Sequence, residues 1–385
     1  MPKLFMVILV CLTMAVSSLG NAVPPTPPPA LSQSMDHFYN GHIEDGYRII
    51  NGYIRENPED PMGYFIRGTG GEWEQKLRNL RGKIDKKIID DYQAANQLAF
   101  QAYSRDPHNV DTLIALGNSY MRLGKKWGDV GKWMRAALIS KKSHKHLQKA
   151  IEQDPERWDA YFSLGAFHYF AANLPGGAKP FASLLGIKGD RQQGIKEITS
   201  GATHPNLLQA DAIYLLKYVY RKEDAYDRVF TLLQDLHRRY PDNAEIAYEI
   251  AVTYGDLKQP KKGIDYLTAF LNTCDIAERT NATCHDRYRF LSLELMGNFH
   301  RDLGNTQAAL VAYQQSASIT AYPSESNYAR LLYRLAETYE TLGKTDPAKQ
   351  TYTDILALKN KDTKPWRTKA QDRLNALTPP TTTTL

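Results

Sequence analysis

The chain has 385 residues, of which 42% are hydrophobic, 23% charged and 11% aromatic, with 24 tyrosines and a formal net charge of +6. That balance reads as a folded, soluble chain and excludes a disordered or membrane-embedded one; so mild a positive excess gives no reason to expect nucleic acid as a partner. The length exceeds what one small domain needs and suits a large core or an extended array.

At the start, Lys3 precedes the mostly apolar run 4–16, followed by SSLGNA ending at Ala22. A positive residue, a short apolar run and the small residues Gly20 and Ala22 have the order of a cleavable secretory leader, and the run is too short to span a bilayer comfortably. The expectation is a signal peptide over 1–22, a mature chain starting at Val23, and an exported protein, periplasmic or secreted. Cys11 lies inside the apolar run behind Val10, which does not suit lipid attachment. Residues 23–33 begin VPPTPPPA and read as a proline-rich linker; residues 379–385, PPTTTTL, read as a disordered tail. Between them, 34–378 reads as one folded body, and no later segment approaches 18 consecutive apolar residues.

That body repeats itself. LIALGNSYMRLG, ELMGNFHRDLG and YRLAETYETLG each place a small residue (Gly117, Gly297, Ala336) seven positions before a glycine (Gly124, Gly304, Gly343). The small residue lets two helices approach, and a glycine, which tolerates positive φ, ends the first helix. Second helices follow, with Ala309 and Tyr313, and Ala348 and Tyr352, spaced by four on one face. Pro58, Pro107, Pro155 and Pro241 each close one apolar-periodic helix and open the next.

In these positions the chain resembles the tetratricopeptide repeat, a helix-turn-helix unit of about 34 residues. The resemblance implies an all-α fold, a right-handed superhelical solenoid of about five or six helical pairs whose first helices line a concave groove. It also implies an interaction scaffold for protein or peptide partners, with no catalysis and no cofactor. Spacings of 49 and 48 residues between Pro58, Pro107 and Pro155 exceed one unit and point to elongated helices; the 86 residues from Pro155 to Pro241 hold two units and an insertion, LPGGAKPFASLLGIKGDR, at 174–191. The LP break, the short apolar segment, GDR and QGIKEITSGA resemble a group of exported bacterial repeat proteins of unknown function, and also part of a eukaryotic repeat family linked to clearance of inclusion bodies. AIEQDPERWDAYFSLGAFHYFAANLPGG is similar to the T component of TRAP-type solute transporters. None of these resemblances implies a catalytic residue in this chain.

Motifs that carry chemistry are sparse. Thr69-Gly70-Gly71 lacks the GK[ST] of a phosphate loop and reads as a helix break. His37 with His42, and His144 with His146, do not share a helix face as metal ligands would, and His168 and His300 occupy a column held elsewhere by tyrosine, so no metal site is expected. Counting repeat positions places Asp111, Ile114, Asn118, Met121, Phe162, Tyr169, Tyr248, Asn298, Arg301, Arg330, Tyr333 and Glu337 on the groove, a mixture of aromatics and polar groups suited to peptide contacts. The alternative function is a periplasmic solute-binding or transporter-accessory protein with a small-ligand cavity beneath the 174–191 segment. That segment is expected to lay Phe181, Leu184, Leu185 and Ile187 across Phe162, Ala166 and Tyr169.

Cys274 and Cys284 are the two cysteines of the expected mature chain, and in an oxidising compartment a bridge between them is expected; two buried free thiols are the alternative. Lys132, Arg135, Lys142, Lys145 and Lys149 recur along one stripe of a helix at 132–149, opposite Trp133, Ala136, Ser140, Ser143, Leu147 and Ala150. The stripe is either a solvated outer face or a site for an acidic partner or an anionic membrane surface.

Overall fold

The structure is a computed structural model that describes residues 27–78, 80, 85–174, 176, 179–277, 286–320, 322 and 324–377. The expected leader and C-terminal tail lie outside the described residues, as does Cys284; Cys274 is buried.

Eighteen α-helices and one short 3-10 turn make up the described secondary structure, with no strand among the described residues. They form successive antiparallel pairs: α1 (Pro29–Asn40) with α2 (Ile43–Glu56), α3 (Pro61–Leu77) with α4 (Asp85–Arg105), and α5 (Val110–Asp129) with α6 (Trp133–Gln153). Next, α7 (Trp158–Ala172) pairs with α9 (Arg191–Thr203), the short α8 (Lys179–Leu184) standing between them in the chain; α10 (Gln209–Lys222) pairs with α11 (Tyr226–Arg239). The series ends with α12 (Ala244–Asp256) and α13 (Pro260–Ala277), α14 (Asp286–Asp302) and α15 (Thr306–Ala317), α16 (Glu325–Thr341) and α17 (Thr345–Leu356), then α18 (Lys364–Leu377), which covers the last pair. The fold is an all-α, right-handed solenoid of helix-turn-helix units. Eight pairs exceed the five or six expected, because the pairs at α1/α2 and α10/α11 lack the glycine columns on which the repeats were recognised.

The starts and stops follow from local chemistry. Asp60, Asn109, Asp190, Asn243 and Ser324 cap their helices by accepting a bond from a backbone N–H of the first turn. Pro29 opens α1 inside the tract read as linker, since proline suits a first turn, and Leu31 is already buried there. The turns within six of the pairs share one geometry: a left-handed residue at Gly41, Gly131, Asp224, Lys258, Gly304 or Gly343. Gly304 and Gly343 thus end helices as expected. Gly124 does not: α5 runs on through it, and its missing Cβ makes room for Ser140, while Gly131 takes the turn.

Small residues set how closely the helices pack. A Cβ on Gly165 would stand 2.6 Å from the backbone nitrogen of Ile198 and 2.7 Å from the carbonyl oxygen of Gly194, so α7 and α9 meet backbone to backbone. Thr69-Gly70-Gly71, read as a helix break, lies inside a continuous α3; a Cβ on Gly70 would come within 2.3 Å of Phe38 Cζ, so the glycine seats that ring. The extra length expected around Pro107 is shared by α4, α5 and α6, of 21, 20 and 21 residues, against 12 for α15 and α17. The insertion, expected to lay Phe181, Leu184, Leu185 and Ile187 across Phe162, Ala166 and Tyr169, makes a different contact in its described part; the Phe181 side chain lies outside the described residues. Its helix α8 packs on α6, Lys141 Nζ donates to the Leu185 carbonyl at 2.8 Å, Leu185 and Ile187 are half-buried, and Leu184 stays 76% exposed. Phe162 is already covered by the Arg122 guanidinium, 5.3 Å above its ring.

Lys258 is an exposed side chain held at a φ of 58° where the equivalent turns use glycine. Lys258→Gly should therefore raise stability by about 1 kcal/mol, the steric cost of a Cβ in left-handed backbone, seen as a higher Tm; an unchanged or lower Tm would contradict this.

Candidate functional site

The inward faces of the first helices of the pairs converge, and between α1 and α14 they meet. Tyr39, from the last turn of α1, donates to Asp211 Oδ2 at 2.5 Å and sets its ring edge-on against Trp73; Trp73 in turn stands edge-on to Tyr214. Asn243 donates to the Tyr39 carbonyl at 2.5 Å, and Asn40 and His42 both reach Asp242, so α1 is fastened to the α11–α12 turn about 200 residues away in sequence. Arg122 lies between Glu72 at 2.8 Å and Asp211 at 3.3 Å. Lys76 pairs with Glu245 at 2.8 Å and stands 3.5 Å from the centroid of the Tyr214 ring; Tyr214 and Tyr288 donate to the same carboxylate. Arg287 closes the contact by donating to the Lys76 carbonyl.

At the centre, Arg122 and Glu245 are buried and Glu72 and Asp211 nearly so, and their charges are mutually neutralised. Burial alone would raise the Glu245 pKa, but Lys76 and hydrogen bonds from Lys76, Tyr214 and Tyr288 outweigh it and hold the carboxyl at about 2. Burial opposes the charge on Arg122, yet Asp211, Tyr92 and Glu72 together push its pKa up. Burial brings Lys217 down to about 8 in spite of Glu249 at 3.3 Å. A cavity of about 470 Å³ lined by Glu72, Trp73, Lys76, Lys126, Asp211 and Tyr214 is what remains of the channel here. A second, of about 380 Å³, lies between α11, α12 and α13 against Phe230, His237, Tyr254 and Tyr266. Neither sits beneath the 174–191 segment.

The residues expected on the groove divide accordingly. Ile114, Asn118, Phe162 and Tyr169 are buried, Asn118 donating to the Asp159 carbonyl at 3.3 Å; Met121 and Tyr248 are half-buried, and Asp111 is exposed and paired with Arg157 at 2.6 Å. Arg330 grips Glu294 through two bonds of 2.8 and 2.7 Å, with Arg334 on the same carboxylate. Asn298 accepts from the Tyr313 hydroxyl at 2.8 Å. Arg301 and Glu337 face one another at 4.0 Å, each 45% exposed, and Tyr333 packs half-exposed against Tyr352 and Trp366. The structure brings Asn298, Arg301, Tyr333 and Glu337 onto one accessible stretch of α14 and α16, with Trp366 and Lys369 of α18 beside them.

Sequence reasoning missed Glu72, Trp73, Lys76, Arg122, Asp211, Tyr214 and Glu245. A signal existed for Glu245, which stands six positions before Ala251 as Asp111 does before Gly117 and Arg330 before Ala336. What repeat position does not reveal is that the opposite wall of the superhelix comes close enough to take the charge. His168, read as packed, is buried with Nδ1 2.6 Å from Glu197. Among the described residues no group of three or more His, Cys, Asp or Glu is placed to hold a metal ion, and no helix is long and apolar enough to cross a membrane.

A tetratricopeptide-repeat family model matches residues 288–361, the part of the chain that contains α14 to α17. Among solved structures, the APC/C hetero-tetramer Cut9–Hcn1 is similar at 14% identity and a TM-score of 0.53, over 91% of this chain and 55% of that one. This chain thus spans about half the length of that neighbour. PilF of Pseudomonas aeruginosa (14% identity, TM-score 0.40, 66% of this chain and 97% of that one) and human IFIT1, solved as a dimer with m7Gppp-AAAA (13%, 0.40, 90% and 84%), are also similar. No curated protein matches the chain in sequence. The likeness is one of fold, a helical-repeat architecture.

Two expectations follow from the paired charges. Arg122→Met should cost about 3–5 kcal/mol by leaving Asp211 without its cation and Glu72 with only the more distant Lys126 at 3.7 Å, whereas Arg301→Ala, on an exposed pair, should cost under about 1 kcal/mol; urea unfolding separates them. Glu245 has a folded pKa near 2 against an ordinary 4.5. Its contribution is therefore complete above about pH 5 and is lost as pH falls toward 2, amounting to roughly 3 kcal/mol. Glu245→Gln should flatten the stability profile over that window, and an identical profile for the variant would contradict the assignment.

Proposed function

We propose that the chain is an exported scaffold that holds a protein or peptide partner on the C-terminal part of its concave face, without catalysis. The observation that carries this reading is the contrast along that face. From α3 to α12 the inward charges are spent on the opposite wall, while on α14, α16 and α18 the pair Arg301–Glu337 stays half-exposed beside Tyr333 and Trp366. Aromatic rings there supply contact area, and the arginine, the carboxylate and Asn298 supply direction.

Arg301→Ala, Tyr333→Ala and Glu337→Ala combined should weaken partner capture about tenfold or more with little change in unfolding. The comparison is cross-linking and mass spectrometry of the wild type and the triple variant in the envelope fraction; a partner held equally by both would overturn the reading.

Export rests on the leader-like first 22 residues, and the bridge between Cys274 and Cys284 on the compartment that export implies. Protein from its native compartment should begin at Val23 and resist thiol labelling under denaturing, non-reducing conditions. A chain that begins at Met1 would contradict export, and two labelled thiols would contradict the bridge.

A further inference from the structure

The helix α6 and the insertion that packs on it concentrate positive charge and exposed apolar side chains on one outer surface. Residues 130–151 contain no Asp or Glu, and neither do residues 171–189, in a chain that as a whole carries 42 acids against 48 Lys and Arg. These two acid-free stretches are brought together in space: α8 contacts α6, and Lys141 Nζ donates to the Leu185 carbonyl at 2.8 Å. Between them they present Lys132, Arg135, Lys142, Lys145, Lys179 and Lys188, all exposed.

The flanking carboxylates are already occupied. Asp129 pairs with Lys125 at 2.9 Å, Glu152 accepts from Gln148 at 3.1 Å, and Asp190 caps α9 by accepting from the Gln193 N–H. The surface therefore carries a field of one sign with no internal counter-charge, unlike the concave face, where every strong charge described above has a partner.

Apolar side chains point outward among these cations. Leu138 is 47% exposed and Leu184 76%, both among the most exposed large hydrophobic residues described in the chain. Leu138 lies at i−4 to Lys142 and i−7 to Lys145, so it shares their face. Arg135 and Lys132 stand 3.7 and 4.8 Å from the centroid of the Trp127 ring, which keeps their heads at the outer edge of the surface.

We propose that this outer face of α6 and the insertion docks the protein on an anionic lipid bilayer. Separate apolar side chains set among lysines, rather than one pocket, fit an interface that has no shape of its own: Leu138 and Leu184 enter the headgroup layer, and the lysines stay at the level of the lipid phosphates. Each lysine or arginine held at an anionic leaflet raises partitioning by roughly fivefold, so a handful of them suffice for reversible attachment. The surface shares no residue with the proposed partner face on α14, α16 and α18, so either assignment can fail without the other.

The test is co-sedimentation of the full chain with vesicles of phosphatidylcholine alone and of phosphatidylcholine mixed with phosphatidylglycerol, at low and at physiological salt. The wild type should sediment with the mixed vesicles and not with the neutral ones. Lys142→Glu with Lys145→Glu should reduce that binding by about tenfold or more. Leu138→Ser with Leu184→Ser should reduce it at physiological salt; all four side chains are exposed, so melting should hold. No sedimentation with the mixed vesicles, or binding that neither double variant changes, would overturn the proposal. So would capture on soluble polyglutamate that is sensitive to the charge reversal while vesicles capture nothing, since that result assigns the surface to an acidic protein.

Discussion

The structure depends on contacts made across the inside of the superhelix, with the Lys76–Glu245 pair at their centre. Lys76 stands on the second repeat and Glu245 on the sixth, yet they lie 2.8 Å apart under the hydroxyls of Tyr214 and Tyr288. In an open solenoid each repeat touches only its neighbours. Here the contact joins distant repeats, and the Tyr39 and Arg122 contacts join others, so the chain from α1 to α14 behaves as a closed body. Breaking one partner of such a buried pair is costly because the other charge is left without compensation. That same closure leaves the charges near the C-terminal end as the ones accessible on the concave face.

The repeat geometry that brings these groups together is set by small residues and turns. Gly165 against Gly194 shortens the distance between α7 and α9, and left-handed residues at Gly131, Asp224, Lys258, Gly304 and Gly343 reverse the chain in the same way each time. Asp224 and Lys258 show that the turn geometry is enforced by the repeat even where the residue does not favour it. With helix spacing and turn angle fixed, the superhelical path follows, and with it the meeting of α3 with α10, α12 and α14.

The local signals were legible in sequence because each depends on neighbours only. Prolines after helices and the Gly117, Gly297 and Ala336 column name their own structural reason. Gly70 and Gly124 misled for a definite cause: a glycine ends a helix where the backbone needs positive φ, but it also appears mid-helix where a ring such as Phe38 needs room, and sequence alone does not separate the two. Repeat position named Ile114, Asn118 and Phe162 as groove residues; their burial was not legible, since it comes from packing against neighbouring helices. For the insertion, apolar content was a sound guide to packing at Leu185 and Ile187 and a poor one at Leu184, which faces outward beside the lysines of α6.

Closure across the superhelix is tested most directly by a double-mutant cycle on Lys76→Met and Glu245→Gln, read as unfolding free energy. The two residues are far apart in sequence and meet only if the walls touch. A coupling of about 1 kcal/mol or more is expected; changes that add to within about 0.3 kcal/mol would mean that the walls stand apart in solution and that the concave face is open along its whole length.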